Sequence, residues 1–168
     1  MDLVALVKPS HGIDPGHMVI GQESSDGVRY FGFRFDPEDL PAEFRPAERW
    51  QEYLLSNTVN GFISDEVDFV RGLRLAGAHT FLEKRAPYET QLETVLPSAE
   101  KWKSFATYSF NPDDFHSNAS PCYNCVTWAI EVGNKVVPGF LTPVRHGRMK
   151  LILRQLRVED AQTGDDDE

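Results

Sequence analysis

A short apolar run, His17-Met18-Val19-Ile20-Gly21-Gln22-Glu23, and a second run, Val28-Arg29-Tyr30-Phe31-Gly32-Phe33-Arg34-Phe35, flank Ser24-Ser25-Asp26-Gly27. Period-2 spacing around an Asp-Gly turn predicts a β-hairpin. Residues 2–8 read as a first strand, led into the hairpin by a Gly/Pro loop over 11–16. Residues 36–46 are Pro-rich and acidic, and read as a loop with a helical turn. A short helix with Pro at its first position is expected over 46–55. Residues 59–63 and 67–75 look strand-like around an acidic turn, and 80–96 suggest one or two strands broken at Pro87. Over 98–106 a helix is expected, capped by Ser98, with Trp102, Phe105 and Ala106 on its buried face. After Asn124 the period changes: Val126, Trp128, Ala129, Ile130 and Val132 mark an amphipathic helix that Gly133 would stop. Residues 149–158 read as a late strand or a short helix, with the strand favoured. Helices and strands in separate runs around an antiparallel sheet predict an α+β fold.

Both cysteines of the chain, Cys122 and Cys125, lie just ahead of or within that last change of period. Asn124 can cap the helix from the position before Cys125. A thiol in the first turn faces unpaired backbone N–H groups and the positive end of the helix dipole, so its pKa should fall. This is how a chain presents a nucleophile, and a nucleophile needs a base. Of five histidines, His17 is the best placed, because a rigid strand can hold it at fixed distance from a helix N-terminus. Its ordinary pKa suits a general base.

Gly16-His17-Met18-Val19-Ile20-Gly21 leading to Tyr30-Phe31-Gly32-Phe33, with Asn124-Cys125-Val126-Thr127-Trp128-Ala129 about a hundred residues later, resembles the circularly permuted papain-like superfamily. That group includes permuted relatives of bacterial cell-wall amidases and peptidases, and lecithin:retinol acyltransferase-like proteins. The resemblance covers roughly residues 10–135. It implies a papain-like core, an antiparallel sheet packed against the helix that carries the cysteine, with Cys125 as nucleophile and His17 as general base. It also implies hydrolysis of an amide or peptide bond, or acyl transfer, through a thioester and without a cofactor. Bacterial members include secreted effectors, and a peptide, protein or other acyl compound would be the substrate.

Such families place a polar residue about a dozen positions after the histidine to orient the imidazole. Here Val28, Arg29, Tyr30 and Phe31 stand in that neighbourhood. In a tight hairpin Arg34 falls opposite His17 and Asp36 lies diagonal to it, making Asp36 the candidate orienting carboxylate. The backbone N–H of Cys125 is the first oxyanion donor, and Tyr123 and Asn124 are candidates for a second contact. His116, in the loop leading to Cys125, is a candidate for lining the substrate cleft. Other readings stay open. Cys122 and Cys125 form a C-x-x-C pair, the spacing of a redox site or of half a zinc site. A loop precedes the pair rather than the strand of a redox motif, and zinc would need further ligands than His116. The two thiols could also form a switch, and the missing orienting residue suits a non-catalytic binding module on the same fold. His11, His79 and His146 read as loop or core-edge residues.

Composition narrows the picture. With 168 residues, 40% of them hydrophobic, and eleven Phe, the chain suits one domain over 1–158 with a substantial core. Six of its nine net negative charges fall in 159–168, read as a disordered acidic tail. There is no basic stripe, which argues against nucleic acid. No apolar run approaches the ~20 residues that span a bilayer. The first residues lack a basic leader, and two cysteines make no disulfide framework. The expected compartment is the cytoplasm, or the exterior by a route without a cleaved signal. Neither a metal nor an oligomeric state is indicated.

Overall fold

In a computed structural model the chain is described over residues 1–89, 91–98, 101–102 and 105–165, the last eight of these by backbone alone. The strands are β1 (Asp2–Lys8), β2 (His17–Ser24), β3 (Gly27–Phe35), β4 (Val59–Asp65), β5 (Leu82–Pro87), β6 (Thr107–Tyr108) and β7 (Cys122–Tyr123). The α-helices are α1 (Trp50–Leu54), α2 (Val67–Ala76), α3 (Cys125–Val136) and α4 (Met149–Asp165). The architecture is α+β. The strands form one sheet in the order β5-β1-β2-β3-β4-β6-β7. Every neighbouring pair is antiparallel except β6 with β7, so the sheet is mixed rather than wholly antiparallel.

Both faces of the sheet centre are covered, which explains the unbroken apolar run at the start of the chain. Leu3, Ala5 and Val7 of β1 pack into the core shared with α3 and α4. Val4 and Leu6, between them, pack into a second cluster with Val70 and Leu73 of α2. Period-2 side chains on a strand buried on both sides must all be apolar, and residues 3–7 are fully buried. On α3, Trp128 stacks on Phe33 of β3 with ring centroids 6.1 Å apart.

The hairpin forms as expected, with Ser24 opposite Gly27 and Ile20 opposite Phe31. Beyond Ile20 the two strands no longer pair, and the gap this leaves becomes important below. Residues 46–55 form a tight turn, Ala47–Arg49, running into α1. Within 80–96 there is one strand, β5, and a turn at Leu92–Val95.

Two expected strands are helices. Residues 67–75 fall in α2, where buried Val70 and Leu73 stand three apart, a helical spacing. Residues 149–158 fall in α4, whose buried Ile152, Leu153 and Leu156 follow the i, i+1, i+4 rule of a helix face. The backbone of α4 continues to Asp165, through most of the acidic segment, and residues 166–168 lie outside the described residues. The helix expected over 98–106 falls partly outside them too; where described, Lys101 N–H bonds the Ser98 carbonyl. Gly133 does not stop α3, which runs three residues further. A Cβ there would lie 3.1 Å from Phe140 and 3.3 Å from Ile20, so the glycine serves close packing. Among the described residues no helix is long and apolar enough to cross a membrane.

Candidate active site

Asn124 starts α3 by a reciprocal cap. Its Oδ1 accepts from the N–H groups of Val126 and Thr127, both at 3.0 Å, and its own N–H donates to Thr127 Oγ1 at 3.0 Å. Its side-chain amide donates to the His146 carbonyl at 2.7 Å, tying the helix start to a distant loop. The N–H of Trp128 bonds the Asn124 carbonyl. Of the first-turn N–H groups only that of Cys125 is left over, and it points to the hydroxyl of Tyr108. The cap thus fixes both the nucleophile and the one backbone donor beside it.

His17 opens β2 and is buried. Its Nε2 lies 2.9 Å from Glu66 Oε1. A carboxylate can only accept, so Nε2 carries the proton and Nδ1 is left for the Cys125 thiol, to which the ring is also hydrogen-bonded. The unpaired end of the β2–β3 ladder supplies a third contact: the free Met18 N–H reaches the Cys125 sulphur. The hydroxyl of Tyr108 reaches it as well.

Glu66 is the carboxylate that orients His17. It stands between β4 and α2, and its side chain is 3% exposed. Asp65 caps α2 by accepting from Val67 N–H at 2.9 Å, which frees the Glu66 side chain for the histidine. Arg34 grips the other edge of the same carboxylate, Nε to Oε1 at 2.6 Å and a terminal nitrogen to Oε2 at 2.8 Å. One turn into α2, Phe69 meets His17 edge-on at 5.2 Å, and the Arg34 guanidinium lies over its ring at 5.3 Å. Gly32 provides the space. A Cβ there would stand 2.5 Å from Glu66 Oε1 and 2.8 Å from His17 Nε2.

The charges alternate along this line. Burial opposes the Cys125 thiolate, but the hydrogen bond and charge of His17, the Met18 N–H and the Arg34 charge outweigh it and hold the thiol below its ordinary value. Burial likewise opposes the His17 cation, yet the bonds to Cys125 and Glu66 raise its pKa. Burial also works against the Glu66 carboxylate, and His17 and Arg34 bring its pKa down. Burial presses the Arg34 pKa down, and Glu66 carries it above the ordinary value. Each shift favours the charged form, and thiolate, imidazolium, carboxylate and guanidinium together would be neutral as a set, with Cys125, His17 and Glu66 buried and Arg34 half-buried. Tyr108, pushed well above its usual value by burial and by the Cys125 charge, stays a neutral donor.

The other expected site residues are placed elsewhere. Asp36 caps the turn at Pro37–Asp39, accepting from Glu38 N–H at 3.0 Å, and Glu66 stands where Asp36 was expected. Asn124 lines the small cavity beside Cys125. Tyr123 and His116 instead line a different cavity of about 520 Å³, with Cys122, Thr127, Ile130 and Glu131, on the opposite side of α3. There Tyr123 donates to Glu131 in a short bond, and His116 Nδ1 accepts from Cys122 N–H at 3.1 Å. Both cysteines are free thiols. Among the described residues no group of three or more His, Cys, Asp or Glu side chains is arranged to hold a metal ion. Glu66, Arg34 and Tyr108 are the site residues that sequence reasoning missed. Compared with family models, curated proteins and solved structures, the chain matches none.

Proposed function

We propose that the protein is a cysteine hydrolase on a permuted papain-like core, cleaving an amide or peptide bond through a thioester on Cys125. The observation that carries this reading is the line of buried Cys125, His17 and Glu66 backed by half-buried Arg34, with the thiol acidified and the imidazole made more basic. Cys125 Sγ attacks the carbonyl carbon, and the oxyanion forms beside Cys125 N–H and the Tyr108 hydroxyl. The His17 imidazolium gives its proton to the leaving amine as the C–N bond breaks. Water then attacks the thioester while His17 takes its proton, and the C–S bond breaks to free the acid. Glu66 holds the ring in the Nε2–H tautomer throughout, and Arg34 holds Glu66.

A binding module has no use for such a line, because burying charges costs desolvation that packing apolar residues would avoid. The missing orienting group was the ground for that reading, and Glu66 supplies one. The deciding experiment is iodoacetamide alkylation of each cysteine against pH, read by mass spectrometry, in wild type and His17→Ala. Cys125 should react fast below pH 7 and Cys122 should not, with the difference gone in the variant. Two thiols titrating together near pH ~8.5, as free cysteines do, would end the proposal.

A further inference from the structure

The cavity that reaches Cys125 is small, about 130 Å³. Pockets that bind drug-sized ligands or several residues run from ~300 to ~1,000 Å³. At ~30 Å³ per water, this one has room for about four waters, or the five heavy atoms of one slender side chain. Cys125 is only 6% exposed, so a reacting carbonyl must come to it through this space. Pro15, Leu55, Phe110, Val126 and Met149 give most of the lining, Gln51 and Arg148 add polar groups, with the Arg148 guanidinium held by the Phe110 carbonyl and Asn111, and Asn124 and Tyr108 line it beside Cys125. A mainly apolar surround with the Cys125 N–H and the Tyr108 hydroxyl at the nucleophile fits an unbranched aliphatic stem that ends in a carboxamide, and its size favours such a stem over a main-chain amide with substituents on both sides of the bond.

The space beyond is wider. Pro15, Gln51 and Phe110 also line a second cavity of about 310 Å³, which extends past Trp50 and Ala47 to Ile13. Ile13 is 65% exposed at its edge. A narrow slot at the nucleophile opening into a broader groove of mixed lining, with Asp14, Glu48 and Gln51 beside Trp50 and Phe110, suits a side chain threaded inward from a polypeptide that stays outside.

We infer that the substrate is the side-chain carboxamide of glutamine, and that the protein is a glutamine deamidase; this rests on the hydrolase reading above. Cys125 Sγ bonds to the carboxamide carbon, the C–N bond breaks, and ammonia leaves with a proton from His17. Water then adds, the C–S bond breaks, and glutamate is formed. The balance is glutamine and water to glutamate and ammonia, with no other reactant.

The test measures ammonia release and peptide mass with the full chain on four probes. Two are blocked pentapeptides with a central Gln or a central Asn in an Ala background, the third is free glutamine, and the fourth is an unfolded casein. The Gln peptide and casein should release ammonia and gain glutamate without chain cleavage. The Asn peptide, one methylene shorter, should be slower by about tenfold or more. Free glutamine turned over as fast as the peptide would show that the outer groove takes no part, and overturn a polypeptide substrate. Main-chain cleavage would overturn the inference and leave the hydrolase reading standing. So would no ammonia from any probe while Cys125 still alkylates fast below pH 7. If that alkylation is also absent, both readings fall. Cys125→Ser supplies the background for each probe.

Discussion

The two thiols of this chain stand three residues apart and are both buried, Cys122 at 2% exposure and Cys125 at 6%, yet their acidities move in opposite directions. Burial disfavours either thiolate. At Cys122 a hydrogen bond with Thr107 does not offset it, and the negative charge of Asp113 adds to it, so the pKa rises. At Cys125 the same desolvation is overcome by an imidazolium, a backbone N–H and a guanidinium, and the pKa falls. Cys122 opens the short strand β7 beside a histidine that accepts from its backbone. Cys125 begins a helix, faced by the open end of the hairpin. Burial alone makes a thiol inert, and it is the charges aimed at the buried sulphur that make it a nucleophile.

The largest effect expected from breaking this difference is in turnover. In the proposed amide hydrolysis, Cys125→Ser should lower kcat by about 10⁴-fold or more, because a serine hydroxyl is not ionised by His17 and the members of such a unit fail together. Steady-state rates against a matched substrate give the answer. A serine variant that kept a tenth of the activity would remove Cys125 from the chemistry.

Glu66→Gln attacks the comparison from behind the histidine and should act next most strongly. The amide can still bond the ring, but it neither favours the imidazolium nor balances Arg34. Cys125 alkylation below pH 7 and kcat should both fall by about 10²-fold. Stability should fall by about 2 kcal/mol, less than the ~3–5 of a fully buried pair, because the Arg34 side chain is 37% exposed and partly screened. The pH dependence has a definite sign. A lowered carboxylate pKa contributes stability that is present above its ordinary value of 4.5 and lost as pH falls through the folded value. The gap between wild type and variant in urea titrations should therefore be widest above pH 4.5 and close in acid. A gap that widened in acid would contradict the ion-pair account of Glu66.

The halves of this site differ in how far the sequence reveals them. Asn124 and Cys125 carry a local signal, a cap followed by a change to helical period, and His17 opens a short apolar strand. Glu66 carries none. It meets His17 only because β4 pairs with β3 and ends with Asp65 opposite Phe31, and because Asp65 takes over the capping of α2. Neither follows from spacing along the chain. Asp36 was the nearer carboxylate in sequence, yet Pro37 after it starts a tight turn that it caps. Tyr108 sits on a two-residue strand too short to leave a pattern. The strands expected at 67–75 and 149–158 failed for a related reason. Leu151, Ile152 and Leu153 form a short apolar run that fits a buried strand as well as a helix, but the buried set in α4 is Ile152, Leu153 and Leu156, and only the packing partner decides between the two.

The smallest effect, and the one that sharpens the comparison most, belongs to Cys122→Ala. Its sulphur contributes to the wall of the larger cavity and donates to no part of the charge line, so kcat should stay within about twofold of wild type. The lost contact should cost about 1 kcal/mol, the scale of one buried methylene. The fast alkylation below pH 7 should survive unchanged, since all of it is assigned to Cys125. Oxidising conditions add a further constraint. If the two thiols acted as a switch, wild type would lose activity with peroxide and regain it with a dithiol, and Cys122→Ala would lose it without recovery. Equal recovery in both proteins would mean that Cys122 has no part in regulation. Its difference from Cys125 would then be the plain consequence of a thiol buried without a charge to face.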